Sequence, residues 1–218
     1  MRPETILFCM MSADGSFISE RLDIDLYYET GYALGADAVM AGADSMLTGL
    51  EGFAGKSPDE SYPEDKAGDD SLPWLVISDS RGRLMGHLGH YRHMEYIRDV
   101  IVLISESTPP SYVRYLEDNR YRYVKSGAER CDLDAALEKL GGDFGIKLIR
   151  IDSVGALAGA FLEGGLADRL VFIMSPFIAR TPSLRPFGGL SKDIAMELVS
   201  SEELRDGHIM ATYKAIPE

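Results

Sequence analysis

Short apolar runs alternate along this chain with segments whose apolar residues recur every three or four positions. That is the pattern of strands buried on both faces exchanging with helices. Residues 5–12 are an almost unbroken apolar run and predict a first strand, closed by the turn Ala13-Asp14-Gly15-Ser16. Leu26, Tyr27, Thr30 and Leu34 share one side of a helix predicted over 23–34, with Gly35 as its stop. Strands follow over 37–41 and 72–78. The first runs into Gly42-Ala43-Asp44-Ser45 and the second into Asp79-Ser80-Arg81-Gly82. A strand over 100–105 precedes a helix that Pro109-Pro110 opens and that reaches Asn119, since proline is tolerated in a first turn. Next come a strand over 122–124, a helix capped by Asp132 and stopped after Leu140 by Gly141-Gly142, a strand over 147–151, a helix over 155–163 and a strand over 170–175.

The C-terminal end breaks this rhythm. Residues 194–200 and 209–216 read as two strands joined through 202–207, where Asp206-Gly207 suits a hairpin turn. The expected fold is α/β: a mostly parallel central sheet with helices on both faces and a C-terminal antiparallel hairpin, in a single domain over 1–218. Residues 49–71 are rich in Gly, Pro, Asp, Glu and Ser, lack any period, and are expected to form a mobile acidic surface loop.

Composition narrows the function classes. A hydrophobic content of 45% in 218 residues supports a substantial core, and 35 acidic against 22 basic residues give a net charge of −13. Such a charge opposes non-specific nucleic-acid binding, which needs a basic face. The two cysteines, Cys9 and Cys131, suggest no disulfide framework. No signal-peptide pattern precedes the first strand, and no apolar run reaches the roughly 18 residues of a membrane span. The expected location is the cytoplasm.

In open sheets of this kind ligands sit beyond the carboxyl ends of the strands. The polar turns at Asp14, Ser45, Ser80 and Asp152 lie at such ends. The richest is Asp152-Ser153-Val154-Gly155, between a strand and a helix. There the unpaired N–H groups of a helix start suit a phosphate, and Asp152, read as the last strand residue, stands beside it. An ordinary strand-to-helix connection is the other reading. His87, His90 and His93 have a spacing that zinc can use on a helix. Gly86 and Gly89 argue against a helix there and no Cys or acidic partner completes a set, so this segment reads as a solvated loop and no metal site is assigned. Tyr27, Tyr28, Tyr32, Met10 and Met11 read as packing, and Arg114, Arg120 and Arg122 as a solvated face.

Taken in order, the turns resemble those of the reductase domain of riboflavin biosynthesis, the C-terminal part of the bifunctional deaminase-reductase and a relative of the dihydrofolate reductase fold. Ser12-Ala13-Asp14-Gly15 is similar to that family's Ser-x-Asp-Gly turn. Asp37 through Ser45 is similar to its Asp-Ala strand and Gly-x-x-Thr turn, with Ser45 in place of Thr. Val76-Ile77-Ser78-Asp79-Ser80-Arg81 is similar to its third strand end. Asp152 through Leu157, followed by Gly165-Leu166-Ala167-Asp168, is similar to its acidic, Gly-rich and Gly-Leu-x-Asp signature. Pro176 falls where the family has a proline.

The resemblance implies an NADPH-dependent reductase, dimeric, acting on a small phosphorylated substrate. It implies cofactor contacts at Gly42, Ser45, Ser80, Arg81, Ser153, Gly155, Ala156 and Leu157. Arg81 or Arg83 is then a sensible partner for a 2′-phosphate, because a guanidinium binds phosphate bidentately. Substrate contacts are implied at Ser12, Asp14 and Asp152, with Asp14 and Asp152 as candidate catalytic groups or simple hydrogen-bond partners. One of Arg180 and Arg185 is a candidate for the substrate phosphate. The implied reaction converts the ribosylamino side chain of a diamino-pyrimidinone 5′-phosphate to ribitylamino. Two alternatives stay open: a same-fold reductase of another substrate such as a pterin, and a non-catalytic nucleotide-binding protein. The latter is raised by Val154, which stands where the family prefers glycine and would obstruct a turn needing a left-handed φ.

Overall fold

A computed structural model describes residues 1–17, 21–66, 69–180 and 186–216. Its residues group into two compact units, one comprising Met1–Pro3 and Ala36–Ile149, the other Glu4–Gly35 and Arg150–Glu218.

The first unit carries four parallel strands, β2 (Ala38–Gly42), β3 (Trp74–Ser78), β4 (Val100–Ile104) and β5 (Arg122–Lys125), ordered β5-β4-β3-β2. All five residues of β4 are buried, as expected for a strand packed on both faces. Helices α2 (Ala43–Gly49), α3 (Leu88–Arg92), α4 (Pro110–Asp118) and α5 (Leu133–Asp143) accompany them. Leu75, Ile77, Leu84, Leu88, Val102, Ile104, Tyr112 and Leu116 form one buried cluster. Pro110 opens α4, and the Asp132 side chain accepts from Ala135 N to cap α5.

The second unit is built on β1 (Glu4–Ser12), β7 (Arg169–Ser175), β8 (Met196–Glu203) and β9 (Ile209–Ala215), with α1 (Ile24–Ala33) and α6 (Ala156–Glu163). β1 and β7 are parallel, β9 runs antiparallel to β7, and β8 antiparallel to β9. The hairpin turn places Asp206 at φ 57° and Gly207 at φ 76°, as an Asp-Gly pair favours. The division between the units falls within β6 (Leu148–Ile151). A mostly parallel arrangement with a C-terminal antiparallel hairpin is therefore present, with β3 beginning two residues later and β4 ending one residue earlier than expected.

Three expectations fail locally. Gly141 and Gly142 do not stop α5, which continues to Asp143. A Cβ on Gly141 would lie 2.0 Å from the Met1 carbonyl oxygen, so this glycine serves a close approach rather than a helix end. Residues 88–92 form α3 in spite of Gly89, because Leu88, Tyr91 and Arg92 are all buried and tertiary packing overrides propensity. The segment 49–71 is not without structure. It contains 3-10 turns at Leu50–Phe53 and Glu64–Lys66, and Lys66 Nζ donates to the Ile97 carbonyl at 3.1 Å.

Among the described residues no helix is long and apolar enough to cross a membrane. Tyr28 and Tyr32 are largely exposed, whereas Tyr27 stacks on Phe8 with centroids 4.7 Å apart. Met10 is fully buried and Met11 half-buried. Arg114, Arg120 and Arg122 lie on the surface as expected.

Candidate functional site

In the second unit the strand ends carry three polar arrangements. Beyond β1, the Ser12 hydroxyl donates to Asp14 Oδ1 at 2.7 Å, the Ser16 hydroxyl to Oδ2 at 3.0 Å, and the Ala179 amide to Oδ1 at 3.0 Å. These donors, the Ala179 amide foremost, hold the Asp14 carboxyl at about 2, well below the usual carboxylate range. Asp14 is thus an acceptor that shapes its turn, and a poor proton donor at neutral pH.

At the start of the second unit's C-terminal segment, β6 ends at Ile151, so Asp152 lies one residue past the strand rather than being its last residue. Both Asp152 oxygens are taken by Arg150, Nε to Oδ1 at 2.7 Å and Nη2 to Oδ2 at 2.7 Å. Burial pushes the Asp152 carboxyl above its ordinary range, with Arg150 and the Tyr27 hydroxyl pulling against it. Nothing in the spacing of the sequence marked Arg150 or Tyr27. The available signal was a cation inside the apolar stretch Leu148-Ile149-Arg150-Ile151.

The turn that follows places its left-handed residue at Gly155, φ 73° and ψ −126°. Among the described residues the non-glycine positions with positive φ are Arg120 and Asp206, not Val154, so the valine imposes no strained backbone. Gly155 N donates to the Pro186 carbonyl at 2.7 Å, and Gly188 N returns a bond to the Gly155 carbonyl at 3.2 Å. The Gly155 amide is therefore committed within the protein. The first intrahelical bond of α6 runs from Gly159 N to the Gly155 carbonyl, so the amides of Ala156, Leu157 and Ala158 have no acceptor within the helix. A Cβ on Gly155 would meet nothing within 4 Å, so the backbone there is open to approach. Ser153 is buried.

Asp168 of the Gly-Leu-x-Asp segment has a structural task. Its Oδ2 accepts from Thr5 N at 2.9 Å and from the Thr5 hydroxyl at 3.0 Å, tying β1 to β7 at their N-terminal ends. Arg180 is exposed, and Pro182 and Arg185 lie outside the described residues.

In the first unit, Gly42 is the N-cap of α2, and Ser45 lies within that helix rather than in an open turn. After β3, the buried Asp79 accepts from Arg83 N at 3.1 Å and Leu84 N at 2.9 Å, which shapes the loop bearing Ser80 and Arg81. The Thr108 hydroxyl donates to the Ser80 carbonyl at 2.9 Å. Arg83 is engaged by Asp44 at 2.7 Å, whereas Arg81 is exposed. Of the two arginines, Arg81 is the one left available for an anion.

The histidines form no ligand set: His87 and His90 stack at 6.3 Å, and the His93 ring contacts the Ser61 carbonyl at 3.1 Å. Among the described residues no group of three His, Cys, Asp or Glu is placed to hold a metal. Both cysteines are free, and burial pushes the Cys9 thiol up to about 12, which makes it inert.

No curated protein sequence matches this chain. Among solved structures, a pyrimidine reductase-like protein from Corynebacterium diphtheriae shares 20% identity and a TM-score of 0.72, over 99% of this chain and 93% of that one. Acinetobacter baumannii RibD shares 19% identity and a TM-score of 0.70, and the chain spans 99% of itself but 58% of that protein. Dihydrofolate reductase from Enterococcus faecalis shares 12% identity and a TM-score of 0.50 over 98% of this chain and 97% of that one, which confirms the fold. A family model described as the RibD C-terminal domain matches residues 3–210. With the turn after β1, the acid and glycine that open α6, and a match running through nearly every element, the chain belongs to the RibD C-terminal domain family.

Proposed function

We propose that this protein is an NADPH-dependent reductase of riboflavin biosynthesis, converting the ribosylamino side chain of a diamino-pyrimidinone 5′-phosphate to ribitylamino. The observation that carries this reading is the turn from Asp152 to Gly155. It combines an anchored carboxylate, a left-handed glycine and the free amides of a helix start within six residues.

Those residues fit an anionic cofactor. Open space at Gly155 admits a pyrophosphate to the backbone, and the Ala156 and Leu157 amides supply donors. Ser153 and Gly155 in this unit are the proposed cofactor contacts. In the first unit Gly42, Ser45 and Ser80 are proposed likewise, with Arg81 as the 2′-phosphate partner. When bound there, NADPH would supply the hydride that reduces the imine carbon of the ring-opened sugar, while the imine nitrogen would take one proton. Ser12 and Asp14 form a rigid acceptor edge, with Asp14 ionised at neutral pH. Asp152 is proposed to accept hydrogen bonds from substrate hydroxyl or amino groups.

A homodimer is proposed through the C-terminal hairpin. Every residue of β8 is exposed, Leu198 and Val199 among them, and a bare strand of this length is a natural pairing edge. A cytoplasmic location is proposed from the two free cysteines. Calorimetric titration with NADPH and NADH, followed by turnover of the ribosylamino pyrimidinone phosphate, tests the reading. NADPH-selective binding and formation of the ribitylamino product are expected. Absence of binding to either cofactor sinks it.

A further inference from the structure

Arg150 is an unexpected residue where it stands. Its neighbours on β6 are Leu148, Ile149 and Ile151, and its side chain is 5% exposed. Arginine is almost never buried without a dedicated partner. Here the partner is two residues further on, and alternation along an extended chain puts both side chains on one face. The guanidinium meets the Asp152 carboxylate edge to edge through two bonds of 2.7 Å.

The surroundings are built to fit this pair. A Cβ on Gly31 would lie 2.4 Å from Arg150 Nη1 and 2.8 Å from Cζ, so α1 has a glycine where the guanidinium passes. The Phe8 ring centroid is 5.4 Å from Cζ. The Tyr27 hydroxyl adds a third donor to Asp152. The titratable groups facing the pair are Tyr27 and Tyr32 on α1, with Cys9 on β1 and Tyr28 on α1 acting on Tyr27.

A buried ion pair is a weak device for stability, since apolar residues of the same volume often serve as well or better. Its effect is to fix a direction and a charge. We propose that Arg150 is a positioning residue whose fork holds Asp152 as an ionised, acceptor-only group aimed at the substrate. This rests on the reductase reading. A carboxylate offers about four lone-pair sites, so one remains for a substrate donor once the fork and the Tyr27 hydroxyl are in place. The proton that joins the imine nitrogen then comes from solvent, not from Asp152. Removal of the guanidinium leaves burial opposed by the Tyr27 hydroxyl alone and moves the Asp152 titration further upward. Because the ionised form is the working one, the acid limb of the pH profile moves upward with it.

The test measures kcat and KM against pH for the full chain, with NADPH and the ribosylamino pyrimidinone phosphate, in wild type, Arg150→Met, Arg150→Lys and Gly31→Ala. Carboxyl NMR of Asp152 without substrate reads the same titration independently of turnover. Arg150→Met is expected to raise the acid limb by a unit or more. Activity below that limb then falls about tenfold per unit and returns at higher pH. Arg150→Lys recovers part of the shift. Gly31→Ala alters neither partner; it crowds the end of Arg150 and, at 3.2 Å, the Phe8 ring edge, and is expected to shift the limb in the same direction by less. NADPH affinity stays unchanged in all three. An unmoved limb with an unmoved carboxyl titration overturns the proposal. So does upward movement of the alkaline limb alone, which would make protonated Asp152 the working form. A wild type that neither binds NADPH nor turns over sinks the reductase reading, and the carboxyl titration then still decides whether Arg150 governs Asp152.

Discussion

Among the described residues each unit has one buried arginine, and the two are used differently. Arg92, fully buried in the first unit, pairs with Asp99 at 3.0 Å. It also donates to the carbonyls of Glu60, Asn119 and Arg120 and stacks 3.6 Å from the Tyr121 centroid. Apart from Nε, its donors end on main chain from two separate segments, at Glu60 and at Asn119–Arg120, so it ties those segments together. Arg150 spends its fork on one carboxylate that sits at a strand end. A buried arginine whose donors converge on backbone is a clamp, whereas one whose donors converge on a second side chain sets that side chain's direction and charge. Burial alone does not separate the two cases; the acceptor list does.

Arg92→Met breaks this comparison on the structural side and has the largest expected effect. Buried Asp99 keeps only the more distant cation Arg122, at 3.8 Å, and three carbonyls lose their donor, at a cost of about 3–5 kcal/mol by chemical denaturation. The folded fraction should still bind NADPH with unchanged affinity; a selective loss of affinity would mean that Arg92 is no mere clamp. Gly155→Ala probes the second unit next to the Arg150 pair. Its φ of 73° and ψ of −126° suit glycine alone, so alanine should cost about 1–3 kcal/mol and weaken NADPH binding in calorimetry. Equal stability and affinity would show that the turn relaxes freely.

Asp14 gives the smallest effect and adds an exposed carboxylate to the set. Its folded pKa, about 2, lies below the ordinary value of 3.8. The contribution it makes to stability is therefore present above about pH 4 and is lost as the pH falls toward 2. Asp14→Asn should flatten the stability profile in that window and leave neutral pH almost unchanged. A profile that stays as steep in the variant would assign the window to other carboxylates. Asp14 and Asp152 move in opposite directions because hydrogen-bond donors dominate at an exposed turn and desolvation dominates in a buried one.

Much of this was readable from local chemistry. Caps and breakers placed α1, α4 and α5 to within a few residues, because Asp23, Pro110 and Asp132 act on their own first turns. The turn glycines at Gly15 and Gly155 were visible for the same reason. The failures were all tertiary. Gly141 sits inside a helix because the Met1 carbonyl passes over it, and no neighbour in sequence reports that. Arg92 and Arg150 carried no local signal, because what fixes their roles is the burial they share with acidic partners seven and two residues away. Ser45 and Asp152 were each assigned to the right segment but the wrong element, since one hydrogen bond decides where a strand stops.

The order in which the chain emerges gives the Asp168–Thr5 link a kinetic meaning. These partners are 163 residues apart, and β1 pairs along its length with β7. The Thr5 end of β1 therefore waits 163 residues for its Asp168 partner, whereas residues 36–149 can collapse as an uninterrupted stretch. Until β7 is made, the apolar β1 lacks that partner, and the rate of translation sets how long it does.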